Sequence, residues 1–336
     1  MATGRQSAKS LRGSGAPLLE ALVAGQRRAV ECVAAEAQAL EAAAKRVAAA
    51  LRAGGRLVYL GAGSSGLIAM QDGLELPGTF GLADERIRFV TPNGERFVID
   101  SSGEDDEDAA VKAVDALALG PDDIVIAVSA SGATPFTVAG ARRAKEMRAS
   151  VAAIVCRLGS PLASLADVAA VFDTGPEAVE GSTRFAAGTA QKAALGVIST
   201  LAAAELGYVH DGLMINVRPE NAKLKVRARR IVERIAGVGG EAAEAALIEA
   251  GGDVPTAVAA AAGSIGAAAA RRLLTECGGD LAEALSRLRA RDTKVNASAG
   301  MTQMSDSGPW AAPKALRDCL SVAIIGPRTH RGAAGT

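Results

Sequence analysis

Apolar residues occur along this chain in two patterns, as short aliphatic runs and as longer alanine-rich stretches with charged residues at intervals. Continuous short runs are typical of buried strands in parallel sheets, and alanine-rich stretches favour helices. The runs lie at residues 57–60, 86–90, 123–128, 151–156 and 168–172. Because helical stretches separate the strands, the pattern predicts an α/β fold, a parallel sheet inside an α-β-α sandwich.

The same pattern divides the chain into four parts. We predict a disordered tail over residues 1–16, an α/β domain with N-terminal helices over 17–235, a small helical bundle over 236–290 and a mostly disordered tail over 291–336. Gly25 is expected to separate two N-terminal helices, since glycine is a weak helix former. Within the last tail, residues 315–325 are expected to form one short element.

The run at residues 57–60, LVYL, passes directly into the segment GAGSSG at 61–66, which we call the first turn. A strand, a tight turn and a helix N-terminus are predicted there. Glycines let the backbone approach an anion, while free N–H groups and the helix dipole attract it. The candidate phosphate-binding residues are Gly63, Ser64 and Ser65. The helix that follows is expected to end near Leu76, with Glu75 at its tail.

A second hydroxyl-rich segment follows the strand at 123–128. We call residues 129–135, SASGATP, the second turn. Its candidate phosphate-binding residues are Ser129, Ser131, Gly132 and Thr134. Turns at the carboxyl ends of parallel strands meet at one crevice, so one phosphate is expected to be held by both.

The first turn also fits the dinucleotide pattern G-x-G-x-x-G, which by itself is weak evidence. A dinucleotide site needs an acidic residue at the end of the next strand to bind the ribose. That strand is followed here by Thr91-Pro92-Asn93. A small-molecule phosphate is therefore preferred over NAD.

Composition and charge limit the kinds of partner and cofactor that the protein is expected to bind. Lysine plus arginine equal aspartate plus glutamate at 37 each, so net charge favours neither nucleic acid nor an acidic membrane. No apolar run reaches the roughly 18 residues of a membrane span, and the N-terminus lacks the hydrophobic core of a signal peptide. The four cysteines are too far apart for a metal site or a disulfide framework, and there are only two histidines. We predict a cytoplasmic protein without metal or cofactor.

Two further polar segments contain candidate groups. In SSGEDDED, residues 101–108, Ser101 or Ser102 is expected to cap a helix whose first turn holds the acids. One of these carboxylates is a candidate for the cleft. In residues 181–192, Ser182 and Thr183 are expected to cap another helix. That segment is either a capped helix with solvated charges or a second set of donors at the cleft.

With these segments in place, the sequence resembles the sugar isomerase (SIS) domain family, and within it the N-acetylmuramic acid 6-phosphate etherases and the related glucokinase regulatory protein. The resemblance lies between residues 26 and 288. The segments that carry the resemblance are GAGSSG, DGLELPGTF, GEDD, SASGATPF, GPEAVEGSTRFAAGTAQK, MINVRPENAKLKVRARRIV and the C-terminal helices separated by Gly-Gly pairs.

The resemblance implies that residues 17–235 bind a phosphorylated amino sugar and that the protein is a homodimer that needs no metal. It implies a lyase that cleaves the D-lactyl ether of N-acetylmuramic acid 6-phosphate in the recycling of cell-wall amino sugars. Glu75 is implied as the proton donor and Glu104 as the second essential acid. Further substrate-site candidates are Ser182, Thr183, Arg184, Gln191 and Lys192.

The sequence also departs from the family pattern. The etherases usually have arginine at the positions of Leu67 and Ala133. Two other functions therefore stay open, an aldose-ketose phosphosugar isomerase and a non-catalytic regulator that senses phosphosugars. Release of D-lactate separates the etherase from both.

Overall fold

The structure, a computed structural model, describes residues 16–94, 96 and 101–291. The described residues up to Leu285 form one compact unit. The predicted tails, apart from residues 16 and 291, and the element expected at 315–325 lie outside the described residues. The boundary between residues 235 and 236 stays a prediction.

The centre of the fold is a five-stranded sheet in the order β2-β1-β3-β4-β5, with every neighbouring pair parallel. The strands are β1 (Leu57–Gly61), β2 (Ile87–Val90), β3 (Ile124–Ser129), β4 (Ser150–Val155) and β5 (Val168–Val171). They coincide with the five predicted runs to within one residue at every end. The predicted parallel sheet is therefore confirmed.

Helices cover the sheet and continue beyond it. They are α1 (Ala16–Ala35), α2 (Ala37–Arg52), α3 (Gly63–Phe80), α4 (Glu107–Ala116), α5 (Pro135–Glu146), α6 (Pro161–Leu165), α7 (Ala186–Glu205), α8 (Ala222–Ala236), α9 (Gly240–Glu249), α10 (Val254–Gly263), α11 (Ala267–Glu276) and α12 (281–291). A short antiparallel hairpin, β6 (Val209–His210) and β7 (Leu213–Met214), joins α7 to α8.

Side chains that alternate along each strand enter two separate hydrophobic clusters. Tyr59 packs with α1, α2, α3 and α7, whereas Val58 and Leu60 pack with α4, α5 and α6. Because successive strand residues point to opposite faces, a sheet covered on both sides needs apolar residues at every position. This confirms the α-β-α sandwich and explains why the strands are continuous apolar runs.

Three predicted helix boundaries were wrong. Helix α1 continues through Gly25, which is buried, and the break between the first two helices lies at Glu36. Helix α3 continues past Pro77 because Phe80 is still buried in the core, and it ends at the left-handed Gly81. Helix α4 begins at Glu107, since the carboxylate of Asp106 accepts a hydrogen bond from the Ala109 N–H and is the N-cap.

The helical bundle after α8 contains the three short helices that the sequence predicts. Two of its connections repeat the sequence Gly-Gly-Asp, at residues 251–253 and 278–280, and in each the Asp carboxylate accepts a backbone hydrogen bond from the next helix. Among the described residues no single helix is long and apolar enough to cross a membrane, although α10 and α11, bent by 108°, pass that test as a pair.

Candidate functional site

The first turn is built by a close approach of α3 to the end of β1. A Cβ atom on Gly66 would lie 2.7 Å from the carbonyl oxygen of Gly61, and a Cβ on Gly61 would lie 2.9 Å from the Gly66 Cα. Both positions therefore require glycine. The contact directs the N-terminus of α3 to the carboxyl edge of the sheet, where its free N–H groups favour an anion.

Glu104 lies directly against this turn. A Cβ on Gly63, whose φ is +54°, would lie 2.5 Å from the Oε1 of Glu104. The backbone of Glu104 is fixed as well, because its carbonyl oxygen accepts a hydrogen bond from the Phe136 N–H at 3.0 Å. Glu104 is thus held between the start of α3 and the start of α5, with its carboxylate against Gly63 of the first turn.

The second turn follows β3, which is the neighbour of β1 in the sheet. The Oγ of Ser129 accepts a hydrogen bond from the Gly132 N–H at 3.1 Å and lies 2.9 Å from the Thr134 Oγ1. Ser129 is only 2% exposed, so its hydroxyl stabilises the turn from inside. Ser131 is exposed and Thr134 is half-buried, which leaves these two hydroxyls accessible to a ligand.

The two turns flank the point at which the chain changes direction across the sheet. From β1 the chain continues to β2 on one side, and it returns to β3 on the other. Ligands of open parallel sheets bind outside the carboxyl ends of the strands at such a point. The structure therefore brings both predicted turns and Glu104 to one location.

Gln191 lies inside the protein. It is 1% exposed, and its amide oxygen and nitrogen lie 3.2 and 3.1 Å from the Ser65 Oγ. Ser65 is buried too, whereas Ser64 is half-buried. Of the two serines in the first turn, Ser64 is the accessible one, and Ser65 with Gln191 fixes the turn to α7.

The prediction that Ser182 and Thr183 cap α7 was wrong. The cap is Glu177, whose carboxylate oxygens accept hydrogen bonds from the Ala186 and Ala187 N–H groups, both at 3.0 Å. A bidentate carboxylate supplies more charge to a helix N-terminus than a hydroxyl does. The cap is separated from α7 by eight residues, which is why no local capping pattern indicates it.

Arg184 and Lys192 are both engaged with neighbouring side chains. The Arg184 guanidinium stacks over the Phe185 ring at 4.8 Å. The Lys192 Nζ lies 3.3 Å from the Glu75 Oε2, and the Gln71 amide donates to the Glu75 Oε1 at 3.1 Å. The Gln71 hydrogen bond and then the Lys192 charge lower the pKa of Glu75, so this carboxyl is ionised at neutral pH in the isolated subunit.

Glu75 itself is distant from the turns. Its side chain is 56% exposed. It follows Gly63 by twelve positions on one continuous helix, which at 1.5 Å per residue is roughly 18 Å along the axis. Within one subunit the structure brings Glu104 to the turns, and it does not bring Glu75 there.

Comparison with known proteins shows the family of this chain. Residues 23–156 match the SIS domain family. The chain is 43% identical over 243 residues to an N-acetylmuramic acid 6-phosphate etherase of Deinococcus radiodurans, covering 72% of this chain and 80% of the relative. It is 41% identical over 245 residues to the protein of that name from Rubrobacter xylanophilus, covering 72% and 81%. The chain belongs to the N-acetylmuramic acid 6-phosphate etherase family.

Solved structures show a weaker likeness. A phosphoheptose isomerase from Neisseria gonorrhoeae aligns with a TM-score of 0.39 at 16% identity, over 56% of this chain and 98% of that one. The predicted SIS fold is confirmed by the domain match and by the observed sheet, and the etherase branch by the curated relatives.

This member of the etherase family also has a buried acid that sequence reasoning missed. Asp72 is 3% exposed, and its carboxylate accepts hydrogen bonds from the Tyr59 hydroxyl at 2.7 Å and the Ser199 hydroxyl at 3.2 Å. Burial raises its pKa. The sequence signal that indicates this residue is its position as an acid on the apolar face of α3. Asp72 links β1, α3 and α7 one turn before Glu75.

The described residues of this etherase-family member include no donor set for a metal ion. Within residues 16–94, 96 and 101–291, no group of three or more His, Cys, Asp or Glu side chains is arranged to hold an ion. The polar groups at the turns are hydroxyls, backbone N–H groups and one carboxylate. This set suits a phosphate and an acid-base reaction.

Proposed function

We propose that this protein cleaves the D-lactyl ether of N-acetylmuramic acid 6-phosphate, giving N-acetylglucosamine 6-phosphate and D-lactate, in the recycling of cell-wall amino sugars. The support is membership of the etherase family at 43% identity, together with a site whose groups suit a phosphosugar. The observation that carries the proposal is the Glu104 carboxylate held against Gly63, between two hydroxyl-bearing turns.

In this proposal the turns bind the phosphate and place the reacting carbons beside Glu104. Ser64, Ser131 and Thr134 supply accessible hydroxyls, and the start of α3 supplies N–H groups. Binding the phosphate fixes the distant end of the sugar, so C2 and C3 reach the carboxylate at a high effective concentration.

The chemistry is an elimination followed by an addition. In the open-chain sugar the C2 hydrogen lies next to an aldehyde, and a carboxylate can remove it. The C3–O bond then breaks as the ether oxygen takes a proton, which releases lactate and leaves a C2–C3 double bond. Water adds at C3 and the proton returns to C2. We assign proton transfer at C2 or activation of water to Glu104, and protonation of the ether oxygen to Glu75.

We further infer that the protein acts as a homodimer in which Glu75 of the partner subunit completes each site. The roughly 18 Å along α3 is longer than the span between the phosphate and C3 of a hexose, so Glu75 cannot serve the turns of its own subunit. Glu75 is exposed beside the exposed apolar Leu74, as expected of a surface that meets a partner. Cyclic dimers are the commonest symmetric oligomers.

Dimer formation also changes the electrostatics that this role needs. A proton donor must carry its proton, whereas Gln71 and Lys192 lower the pKa of Glu75 in the isolated subunit. Burial between subunits removes water from the carboxylate and raises its pKa. We also infer a cytoplasmic location, in keeping with the free thiols of Cys32, Cys156 and Cys277.

The test is incubation with N-acetylmuramic acid 6-phosphate followed by an assay for D-lactate. The wild-type protein is expected to release D-lactate, and Glu104→Gln to lose about 100-fold or more of the rate, since acid-base groups contribute that much. Asp108→Asn, an exposed acid on α4, is the matched control and is expected to keep the rate. A ketose phosphate without lactate, or tight binding without turnover, would contradict the proposal.

A further inference from the structure

The segment after β4 is attached to the second turn at two points. The Cys156 N–H donates to the Ala130 carbonyl at 2.9 Å, and the Leu162 N–H donates to the Gly132 carbonyl at 3.0 Å. Between these bonds the buried Ser160 side chain fills the space beside Gly132, because a Cβ on Gly132 would collide with the Ser160 Oγ. Residues 156–162 therefore form a fixed rim around the second turn.

Arg157 lies on this rim with its side chain exposed. It immediately follows Cys156, whose N–H is bonded to the residue before Ser131. Arg157 has no hydrogen-bond or ion-pair partner among the described residues, unlike Lys192, which holds Glu75. Arg157 therefore places a positive charge without a partner in the described chain directly after the residue that is bonded to the second turn.

The turns themselves carry no cation. The first turn is followed by Leu67, and the second contains Ala133, so hydroxyls and backbone N–H groups are their only donors. A phosphate monoester near neutral pH carries close to two negative charges. Arginine matches two phosphate oxygens with parallel N–H groups, and such charge-assisted bonds are about twice as strong as neutral ones.

We propose that Arg157 is the cationic phosphate ligand of this site, donating from its guanidinium to the phosphate held by the second turn. It selects phosphorylated over unphosphorylated sugars. The inference rests on the proposed function for the identity of the sugar, and on the geometry of residues 156–162 for everything else.

The experiment is calorimetric titration with N-acetylglucosamine 6-phosphate of the wild-type protein and of Arg157→Gln, Arg157→Lys and Arg272→Gln. Arg157→Gln is expected to weaken binding about tenfold or more, and Arg157→Lys by less, because lysine keeps the charge but loses the bidentate geometry. Arg272 is an exposed arginine of α11 with no hydrogen-bond or ion-pair partner in the described part of the chain, so Arg272→Gln is expected to bind as the wild type does. Thermal melting checks that each variant is folded.

Binding by Arg157→Gln that equals the wild type would overturn the assignment, as would an equal loss in the Arg272→Gln control. Wild-type protein that binds the phosphorylated sugar no better than N-acetylglucosamine would overturn it too. Normal wild-type binding with no lactate release would contradict the proposed function alone. A loss confined to Arg157 variants would still support the ligand role in that case.

Discussion

At the scale of single residues, the charge on Glu75 is set by two neighbours. Gln71 donates a hydrogen bond to one carboxylate oxygen and Lys192 contacts the other, which lowers the pKa of Glu75. This arrangement opposes the role of proton donor, and in the proposed homodimer burial of the carboxyl by the partner subunit offsets it. Lys192 is therefore expected to tune the pH range over which Glu75 holds its proton.

Replacing Lys192 with methionine tests this electrostatic link. Lys192 lowers the pKa of Glu75, so its removal raises that pKa. If protonated Glu75 is required, kcat/KM falls as pH rises through this pKa, and in Lys192→Met the fall is expected at higher pH. Lys45→Met, which breaks a similarly exposed pair with Glu41, is the control and is expected to leave the profile unchanged. If the fall in kcat/KM occurs at the same pH in Lys192→Met as in the wild type, or at lower pH, the assignment is contradicted.

The sequence located the residues of the turns because their chemistry is local. Glycine-rich and hydroxyl-rich segments after apolar runs predict a phosphate site from neighbours in the chain alone. Asp72 and Glu177 were missed because their partners are distant in sequence, Ser199 for one and the start of α7 for the other. The burial of Gln191 likewise depends on the way α7 crosses α3.

At the scale of elements, helix α7 fixes helix α3 at three polar points. Gln191 contacts Ser65 in the first turn, Ser199 contacts Asp72, and Lys192 contacts Glu75. The position of α3 against β1 depends in addition on Gly61 and Gly66, which have no room for a side chain. The first turn is therefore a consequence of helix packing.

A pair of glycine substitutions tests this packing. Gly66→Ala places a Cβ 2.7 Å from the Gly61 carbonyl oxygen, and we expect a loss of about 1–3 kcal/mol in the free energy of unfolding, typical of overpacking. Gly196→Ala, inside α7 with nothing within 4 Å of the added Cβ, is the control and is expected to gain about 0.5–1 kcal/mol. Urea denaturation measures both. Equal effects of the two substitutions would show that the close approach in the first turn does not matter.

Strand positions were predictable because a sheet buried on both faces leaves an unbroken apolar run, whatever the packing of its helices. Helix ends were harder to predict. Asp106 caps α4 in place of either serine, and α3 continues through Pro77, because the burial of Phe80 outweighs the local preference to stop there. Both outcomes depend on tertiary contacts that local propensity does not contain.

At the scale of the whole molecule, the proposed mechanism needs two glutamates that lie far apart within one chain. Glu104 lies at the turns, and Glu75 lies roughly 18 Å along α3. In the proposed homodimer a complete site therefore takes Glu104 from one subunit and Glu75 from the other. Glu75→Gln and Glu104→Gln alone are each expected to keep about one hundredth or less of the wild-type rate of D-lactate release. A dimer that contains one chain of each kind has one site with both glutamates intact and one site with neither.

The most direct measurement is D-lactate release from N-acetylmuramic acid 6-phosphate after the Glu75→Gln and Glu104→Gln proteins are mixed and allowed to exchange subunits. Random exchange makes half of the dimers mixed, each with one complete site, so the account predicts about a quarter of the wild-type rate. A mixture that exchanges subunits, as shown by differently tagged chains, and still releases no D-lactate would contradict it.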